Sequence, residues 1–381
     1  MLGINSNINS LVAQQNLNGS QSALSQAITR LSSGKRINSA ADDAAGLAIS
    51  TRMQTQINGL NQGVSNANDG VSMIQTASSA LSSLTSSLQR IRQLAVQAST
   101  GSLSSSDQAA LQQEVAAQIS EVNRIASQTT YNGTNILDGS AGNVSFQVGA
   151  NVGQTISLNL SQSMSAAQIG GGLVQKGQTV GTIAVSLDAA GAYTSSGATI
   201  TSINVLSDGQ GGYTFTDQNN SAITSGVSSA IFSGGTASGT GTPVTTLALS
   251  AGALPTTGAA STAAVASVNQ INKINAPPTV SGLDISTVTG ANEAMVSIDN
   301  ALATVNNLQA SLGAAQNRFT AIATSQQAES TDLSSAQSQI TDANFAQETA
   351  NLSKAQVLQQ AGISVLAQAN SNPQQVLKLL Q

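Results

Sequence analysis

The chain has 381 residues, enough for two or three domains, but only 8% are charged, 2% are aromatic, and His, Cys and Trp are absent. Without His and Cys there is no Ser–His or Cys–His nucleophile, no zinc site built on those ligands and no disulfide. A net charge of −5, from 12 basic and 17 acidic residues, excludes the clustered basic surface that nucleic-acid binding needs. The apolar 40% is mostly Ala, Leu, Val and Ile, which favours thin, alanine-seamed helix packing over a thick aromatic core. No apolar run reaches transmembrane length, and residues 1–20 lack the basic and apolar regions of a Sec-type signal peptide.

Leu2, Ile4, Ile8 and Leu11 open a helical pattern that Leu17, Leu24, Ile28 and Leu31 continue. Gly34 stands where a helix C-cap belongs, with Lys35 and Arg36 beside the negative end of the dipole. Ser39-Ala40-Ala41-Asp42 reads as a capping box and Asp43 adds charge at the positive end, so a long helix is expected to start just after Ser39. In that helix Met53, Leu60, Ala67, Ile74, Leu81, Leu88 and Ala95 recur every seventh residue. Ile57, Val64 and Val71 form a second row, resumed one residue out of step by Leu84, Ile91 and Ala98. This is a coiled-coil seam, and over roughly 70 Å of rod at about 1.5 Å per residue it exceeds what one small domain covers. The chain is therefore expected to supply matching helices and to recruit other copies of itself.

The rod ends near Ser99-Thr100-Gly101, and serines before Asp107 supply a turn and an N-cap. Leu111, Val115, Ile119, Val122 and Ile125 predict a second, antiparallel helix and hence an αα-hairpin. Asn132-Gly133 marks a tight turn; it also opens a glycosylation pattern with Thr134, but the turn is the better reading. Val144, Phe146 and Val148 alternate, as do Ile156, Leu158 and Leu160, so short strands follow.

Residues 177–276 read as a small β domain, with a low-complexity loop as the alternative. Ile183, Val185 and Leu187, then Ile200, Ile203 and Val205, then Tyr213 and Phe215 alternate between Gly-rich turns. Asp188, Asp208 and Asp217 lie along it without calcium-loop spacing. Gly239-Thr240-Gly241 lacks the third glycine of a dinucleotide fingerprint, and Ser33-Gly34-Lys35-Arg36 fails as a phosphate loop. Asp42 and Asp43 fit a helix N-terminus better than an acid–base pair. Pro277-Pro278 closes the region. Helical spacing returns at Met295, Ile298, Leu302, Val305, Leu308, Leu312, Ala315, Phe319 and Ile322, and continues through Leu333, Ile340, Phe345, Leu352, Leu358, Ile363 and Leu366. Asn372-Pro373 reads as an N-cap with Pro at N1. The expected fold is mainly α with a β outer domain: a long antiparallel coiled-coil-like bundle of the N- and C-terminal regions, with an inserted small β-rich domain. The two ends have apolar stripes but little bulk, so they are expected to be disordered in a monomer and to fold on assembly.

Several long strings resemble bacterial flagellin. At the start these are residues 31–38 (LSSGKRIN), 42–49 (DDAAGLAI), 89–97 (QRIRQLAVQ) and 131–134 (YNGT). Near the other end they are 312–319 (LGAAQNRF) and 355–362 (AQVLQQAG). The resemblance spans nearly 180 residues at the start and about 100 at the end. It implies a filament of stacked subunits, with no enzymatic activity and no cofactor. Residues 1–40 and 340–381 would be inner-tube helices, 41–176 and 279–339 the outer-tube rod with its β-hairpins, and 177–278 a variable outer domain. It further implies export through the flagellar type III apparatus, assembly at a capped tip, an extracellular location, no membrane insertion, and partners among export chaperones, cap and hook-junction proteins. Gln89, Arg90, Leu94, Gln97 and Glu114 match the helix face that Toll-like receptor 5 recognises, a face that also serves neighbour contacts. Gln93 departs from the acidic residue often found there. Leu358, Ile363, Leu366, Val376, Leu377, Leu379 and Leu380 match the C-terminal segment used in assembly, chaperone binding and NAIP-family recognition. A hook–filament junction protein and a glycan-binding adhesin are the other readings. A filament-displayed protease would need a His-Glu-x-x-His helix, and the chain has no His.

Overall fold

The computed structural model describes residues 7–233, 247–250 and 259–379, with the side chains of 259–260 and 372–379 left aside. The chain packs into two units. The first is built from residues 1–68, 147–155 and 321–381, the second from 69–146 and 156–320.

In the first unit, helix α1 (Ile8–Ser33) packs against helix α7 (Phe345–Leu379). Asn7 caps α1 by accepting the Ser10 N–H, and its amide donates to Ala369 O at 2.8 Å. At the other end, Arg30 meets Glu348, so the two helices run antiparallel. Gly34 caps α1 at φ +68°, the left-handed conformation expected there. Helix α2 spans Ala44–Ala98 and helix α6 spans Val288–Thr341. Within this unit they also run antiparallel: Gln337 Nε2 donates to Ser50 O at 3.1 Å and Ser330 Oγ to Asn61 Oδ1 at 3.0 Å. The connectors between these helices bind each other. Lys35 pairs with Asp342 as an antiparallel bridge, Arg36 N donates to Thr341 O at 2.6 Å, and Ala343 N donates to Gly34 O at 2.9 Å.

Two sequence expectations change here. The cap of α2 is Asp43, whose carboxylate accepts the Gly46 N–H at 2.9 Å. Asp42 instead accepts from Asn38 N and Ser39 N and ties down the connector, so the helix begins after Asp43 rather than after Ser39. Helix α7 runs on through Asn372 and Pro373 to Leu379 with no new start between them. The described parts of the two ends are helical and paired, as the bundle of N- and C-terminal regions read from the sequence requires.

In the second unit, α2 again runs antiparallel to α6, Arg92 meeting Asp299 and Gly70 meeting Phe319, and helix α3 (Ser105–Gln128) is tied to α2 through Glu114 and Arg90. Ser104 and Asp107 cap α3 reciprocally. Gly70 lets the Phe319 ring lie against α2; a Cβ there would sit 2.7 Å from the ring. Phe319 also meets Phe146 edge to face, with centroids 5.3 Å apart. Asn132 (φ +49°) and Gly133 (φ +80°) make the tight turn between strands β1 (Thr130–Tyr131) and β2 (Thr134–Asn135). Strands β3 (Gly142–Gln147) and β4 (Thr155–Leu160) pair as the alternation predicted, with Ile156, Leu158 and Leu160 all buried.

The inserted region of this unit is an antiparallel sheet of β5 (Thr179–Leu187), β6 (Ile200–Ser207) and β7 (Tyr213–Asp217), in that order. A short helix α4 (Ser225–Ile231) leads to β8 (Phe232–Ser233), which pairs with β9 (Ala248–Leu249). Ile183, Leu187, Ile203, Val205, Tyr213 and Phe215 face one core. Opposite them lies helix α5 (Ala259–Ile274), in a stretch read from sequence as part of a β domain. Its Ala264, Val268, Ile271 and Ile274 are buried in the same core, and Gly181 on β5 leaves the space that Ile271 fills.

Asp188, Asp208 and Asp217 each build the same turn. One carboxylate oxygen accepts the backbone N–H groups two and four residues on, at 2.7–2.9 Å. The N–H of each aspartate donates to the carbonyl four residues on. The residue three on, Gly191, Gly211 or Asn220, has positive φ.

Candidate assembly surfaces

Among the described residues no group of His, Cys, Asp or Glu could hold a metal, and no helix is long and apolar enough to cross a membrane. A cleft of about 460 Å³ in the second unit is lined in part by Arg92, Gln178, Thr182, Gln270, Met295 and Asp299. Its two charged groups are bound to each other. Arg92 Nε and Nη2 donate to the two Asp299 oxygens at 2.7 and 3.2 Å. That hydrogen bonding, with the carboxylate charge, raises the Arg92 pKa further above its ordinary value. A mutually neutralised pair supplies neither acid nor base in this cleft.

The heptad seam is closed within the chain. Ile74, Leu81 and Leu88 have no solvent exposure, Leu60 is buried and Met53 half-buried. These residues position the helices and leave no seam for another copy in the second unit.

The outer face of α2 carries Gln89, Arg90 and Gln97, all exposed. Arg90 Nε and Nη2 donate to Glu114 Oε1 at 2.7 and 2.6 Å, joining α2 to α3, and Nη1 reaches Gln93 Oε1 at 3.4 Å. Leu94 does not belong to this face: it is 1% exposed. At roughly 100° per residue it lies about 60° from Ile91 and about 40° from Ala98 on the helix, and both of those are fully buried. Arg92, which the sequence reading passed over, is the other structural cation here. Its partner is 207 residues away in sequence, so no local spacing could reveal it.

The α1–α7 pair presents a different surface. The residues it buries include Ala13, Ala27, Ala355 and Ala369. Many of its larger apolar side chains stand outside: Ile8, Leu11, Val12 and Ile28 on α1, and Phe345, Val357, Leu358, Ile363 and Val365 on α7 are all exposed, whereas Leu17, Leu24, Leu31 and Leu352 are half-buried. Leu366 is half-buried. The side chains of Val376, Leu377 and Leu379, and Leu380 altogether, lie outside the described residues. At the inner end Arg30 donates to Glu348 at 3.3 Å and stands 3.9 Å from Asp42, a half-buried cluster joining α1, the connector and α7.

Residues 4–142 match the family model for the bacterial flagellin N-terminal helical region, 172–277 that for the flagellin D2 domain, and 295–380 that for the bacterial flagellin C-terminal helical region. Flagellin B of Vibrio cholerae serotype O1 is 36% identical over 383 residues, spanning 100% of this chain and 99% of its own. B-type flagellin of Pseudomonas aeruginosa is 36% identical over 489 residues, spanning 100% of both chains. A solved structure, FliC from Burkholderia pseudomallei, is 68% identical with a TM-score of 0.61, covering 66% of this chain and 100% of that one.

Proposed function

Since the chain belongs to the bacterial flagellin family, and is thus a structural subunit of the extracellular flagellar filament rather than an enzyme, we propose that it polymerises through its paired terminal helices. The supporting observation is the thin packing of α1 and α7: of their described apolar side chains only alanines are fully buried, several leucines are half-buried, and nine Ile, Leu, Val and Phe side chains are exposed. Fully burying one such large side chain is worth about 1.5–3 kcal/mol. Nine of them are exposed on this pair, a reserve that neighbouring copies collect on assembly. The hydrophobic effect then favours a tube in which these faces meet, with residues 1–40 and 340–381 innermost and 177–278 outermost.

The outer α2 face of Gln89, Arg90, Gln97 and Glu114 is a neighbour contact in the polymer. It is open to an innate receptor in the monomer. The same exposed leucines and isoleucines of α7 are the surface an export chaperone covers before assembly. Secretion proceeds through the flagellar type III apparatus. The test is seeded polymerisation of purified monomer, read by negative-stain electron microscopy, with the full chain beside one lacking residues 340–381. Long uniform tubes from the full chain alone are the expected outcome. A full chain that stays monomeric with seeds and salting-out agents overturns the proposal.

A further inference from the structure

The cleft of about 460 Å³ in the second unit lies beside an end strand of the inserted sheet. Gln178 and residues 179–182 of β5 line it without a gap. Successive side chains of a strand point to opposite faces, so consecutive residues share one cleft only along the strand's backbone edge. Among the described residues β5 pairs with β6 alone, which leaves that edge without a strand partner. The facing wall comes from α5 and α6. Ile271, Ile274 and Val296 are buried there and give it an aliphatic floor. Gln270 of α5 and Asn292 of α6 stand half-buried above it.

The cleft is bounded along β5. Gln178 Nε2 reaches across to Asp299 Oδ2 at 3.4 Å, and Asp299 in turn holds Arg92. At Gly181 a Cβ would stand 2.5 Å from Ile271 Cγ1, so α5 lies directly on the strand there. An added strand needs a clear run along the edge and would have to break these contacts, whereas a compact ligand leaves them in place. Hydrogen-bonding capacity inside the cleft is unspent. Among the described residues the Gln270 and Asn292 amides have no partner, and Arg92 keeps the N–H donors that Asp299 does not take. The charges lining the cleft are Arg92 and Asp299, which cancel, and no aromatic side chain lines it.

We propose that this cleft binds a neutral, polyhydroxylated ligand, one or two rings of an uncharged saccharide. A sugar hydroxyl both donates and accepts, as a carboxamide does, so the Gln270 and Asn292 amides each match a pair of adjacent hydroxyls. The aliphatic floor takes the C–H face of a ring. The volume falls in the range of small-molecule sites, roughly 300–1,000 Å³. A charged ligand would have to draw Arg92 or Asp299 out of its pair, and a nucleobase finds no ring to stack on. Without an aromatic platform the site is weak, with a dissociation constant on the order of 1 mM. A free saccharide and the end of a surface-borne glycan share this chemistry. The cleft lies within one unit of one chain, so the proposal does not rest on filament assembly.

The test uses the full chain as monomer, with its methionine methyl groups labelled with carbon-13 for NMR. Met295 lines the cleft, whereas Met73 and Met164 are buried elsewhere in the same unit. Glucose, galactose, mannose, N-acetylglucosamine, maltose and lactose are titrated in turn. The expected result is a saturable shift of the Met295 signal with at least one sugar, and none at Met73 or Met164. Gln270→Ala and Asn292→Ala are each expected to weaken that binding about fivefold. Asn269→Ala, on the exposed side of α5, is expected to leave it unchanged. The Met295 signal of the unsubstituted chain needs no variant, so it decides the matter even if a substitution unfolds the insertion. The same sugars coupled to agarose separate the two sources: retention of the chain identifies a glycan end, and binding of the free sugar alone identifies a free saccharide. No saturable Met295 shift with any sugar up to about 50 mM overturns the proposal. So does binding that survives both substitutions at full strength, or a Met295 shift with the peptide Gly-Ser-Gly where no sugar gives one.

Discussion

A carboxylate that accepts two backbone N–H groups of its own turn stabilises that turn in one conformation. Asp188, Asp208 and Asp217 do this at three corners of the inserted sheet. Replacing Asp208 with Ala removes both bonds and is expected to lower the insertion's stability by about 1–2 kcal/mol in a denaturant titration. Asp208→Asn keeps the acceptor and is expected to recover most of it. The spacing that builds the turn, Asp with Gly or Asn three residues later, stands in the sequence three times. Asking only whether those aspartates bind calcium concealed it. Asp42 offers a second residue-scale outcome. Its pKa is lowered below the ordinary 3.8, first by the Gln26 amide and then by the Asn38 and Ser39 donors. A lowered folded-state pKa means stability that is present above the ordinary value and lost as the pH falls through the folded value. The stability gap between the unsubstituted chain and Asp42→Asn is therefore expected to be constant from neutral pH down to about pH 4. It then shrinks below that. A gap that changes near pH 6 to 7 would contradict this assignment.

Helices announced themselves where one face is apolar and the partner is another helix. The seven-residue row from Leu60 to Ala95 is buried throughout, and the shifted second row of Leu84, Ile91 and Ala98 is too. Leu94 is buried although the string it belongs to matches a recognition face, and a linear motif does not say which side of a helix a third element covers. Helix α5 was hidden differently. Ala264, Val268, Ile271 and Ile274 have helical spacing, but they follow a Gly- and Thr-rich tract, and alternating strands upstream suggested more of the same. The packing of α5 on β5 is tight enough to test. Ile271→Ala leaves a cavity beside Gly181 and is expected to cost about 2–5 kcal/mol, read as a lower unfolding midpoint of the insertion. A loss near zero would mean that α5 is not part of that core. The Arg92–Asp299 pair, also invisible in sequence, is partly exposed, and exposed pairs contribute only about 0.2–1 kcal/mol. Its value lies in fixing register between α2 and α6.

Across the whole molecule, stability is unevenly distributed. The second unit fully buries Ile74, Leu81, Leu88 and the sheet core, whereas among the described residues the only apolar side chains fully buried on the α1–α7 pair are alanines, its leucines being half-buried or exposed. Ordering a residue costs about 1–2 kcal/mol in backbone entropy, which an alanine seam offsets poorly. Amides of α1 and α7 are therefore expected to exchange much faster in the isolated chain than those of residues 74–98, and to become protected in the polymer. Equal protection of both helix sets in the monomer would show that the terminal pair needs no neighbours. This contrast was legible from the sequence as stripes without bulk. That these ends are helical and pair with each other was legible too, from their apolar stripes, although the residues that meet lie more than 300 apart.

The first unit draws on residues 1–68 and 321–381 together, and the ribosome makes most of the second unit between them. Residues 8–33 thus wait through nearly the whole of translation for the helix they pack against. A chain broken off before residue 321 can still form much of the second unit, yet it has nothing to lay against α1. Wherever growth of a polymer depends on that pair, each subunit's admission doubles as a check that both of its helices have been made.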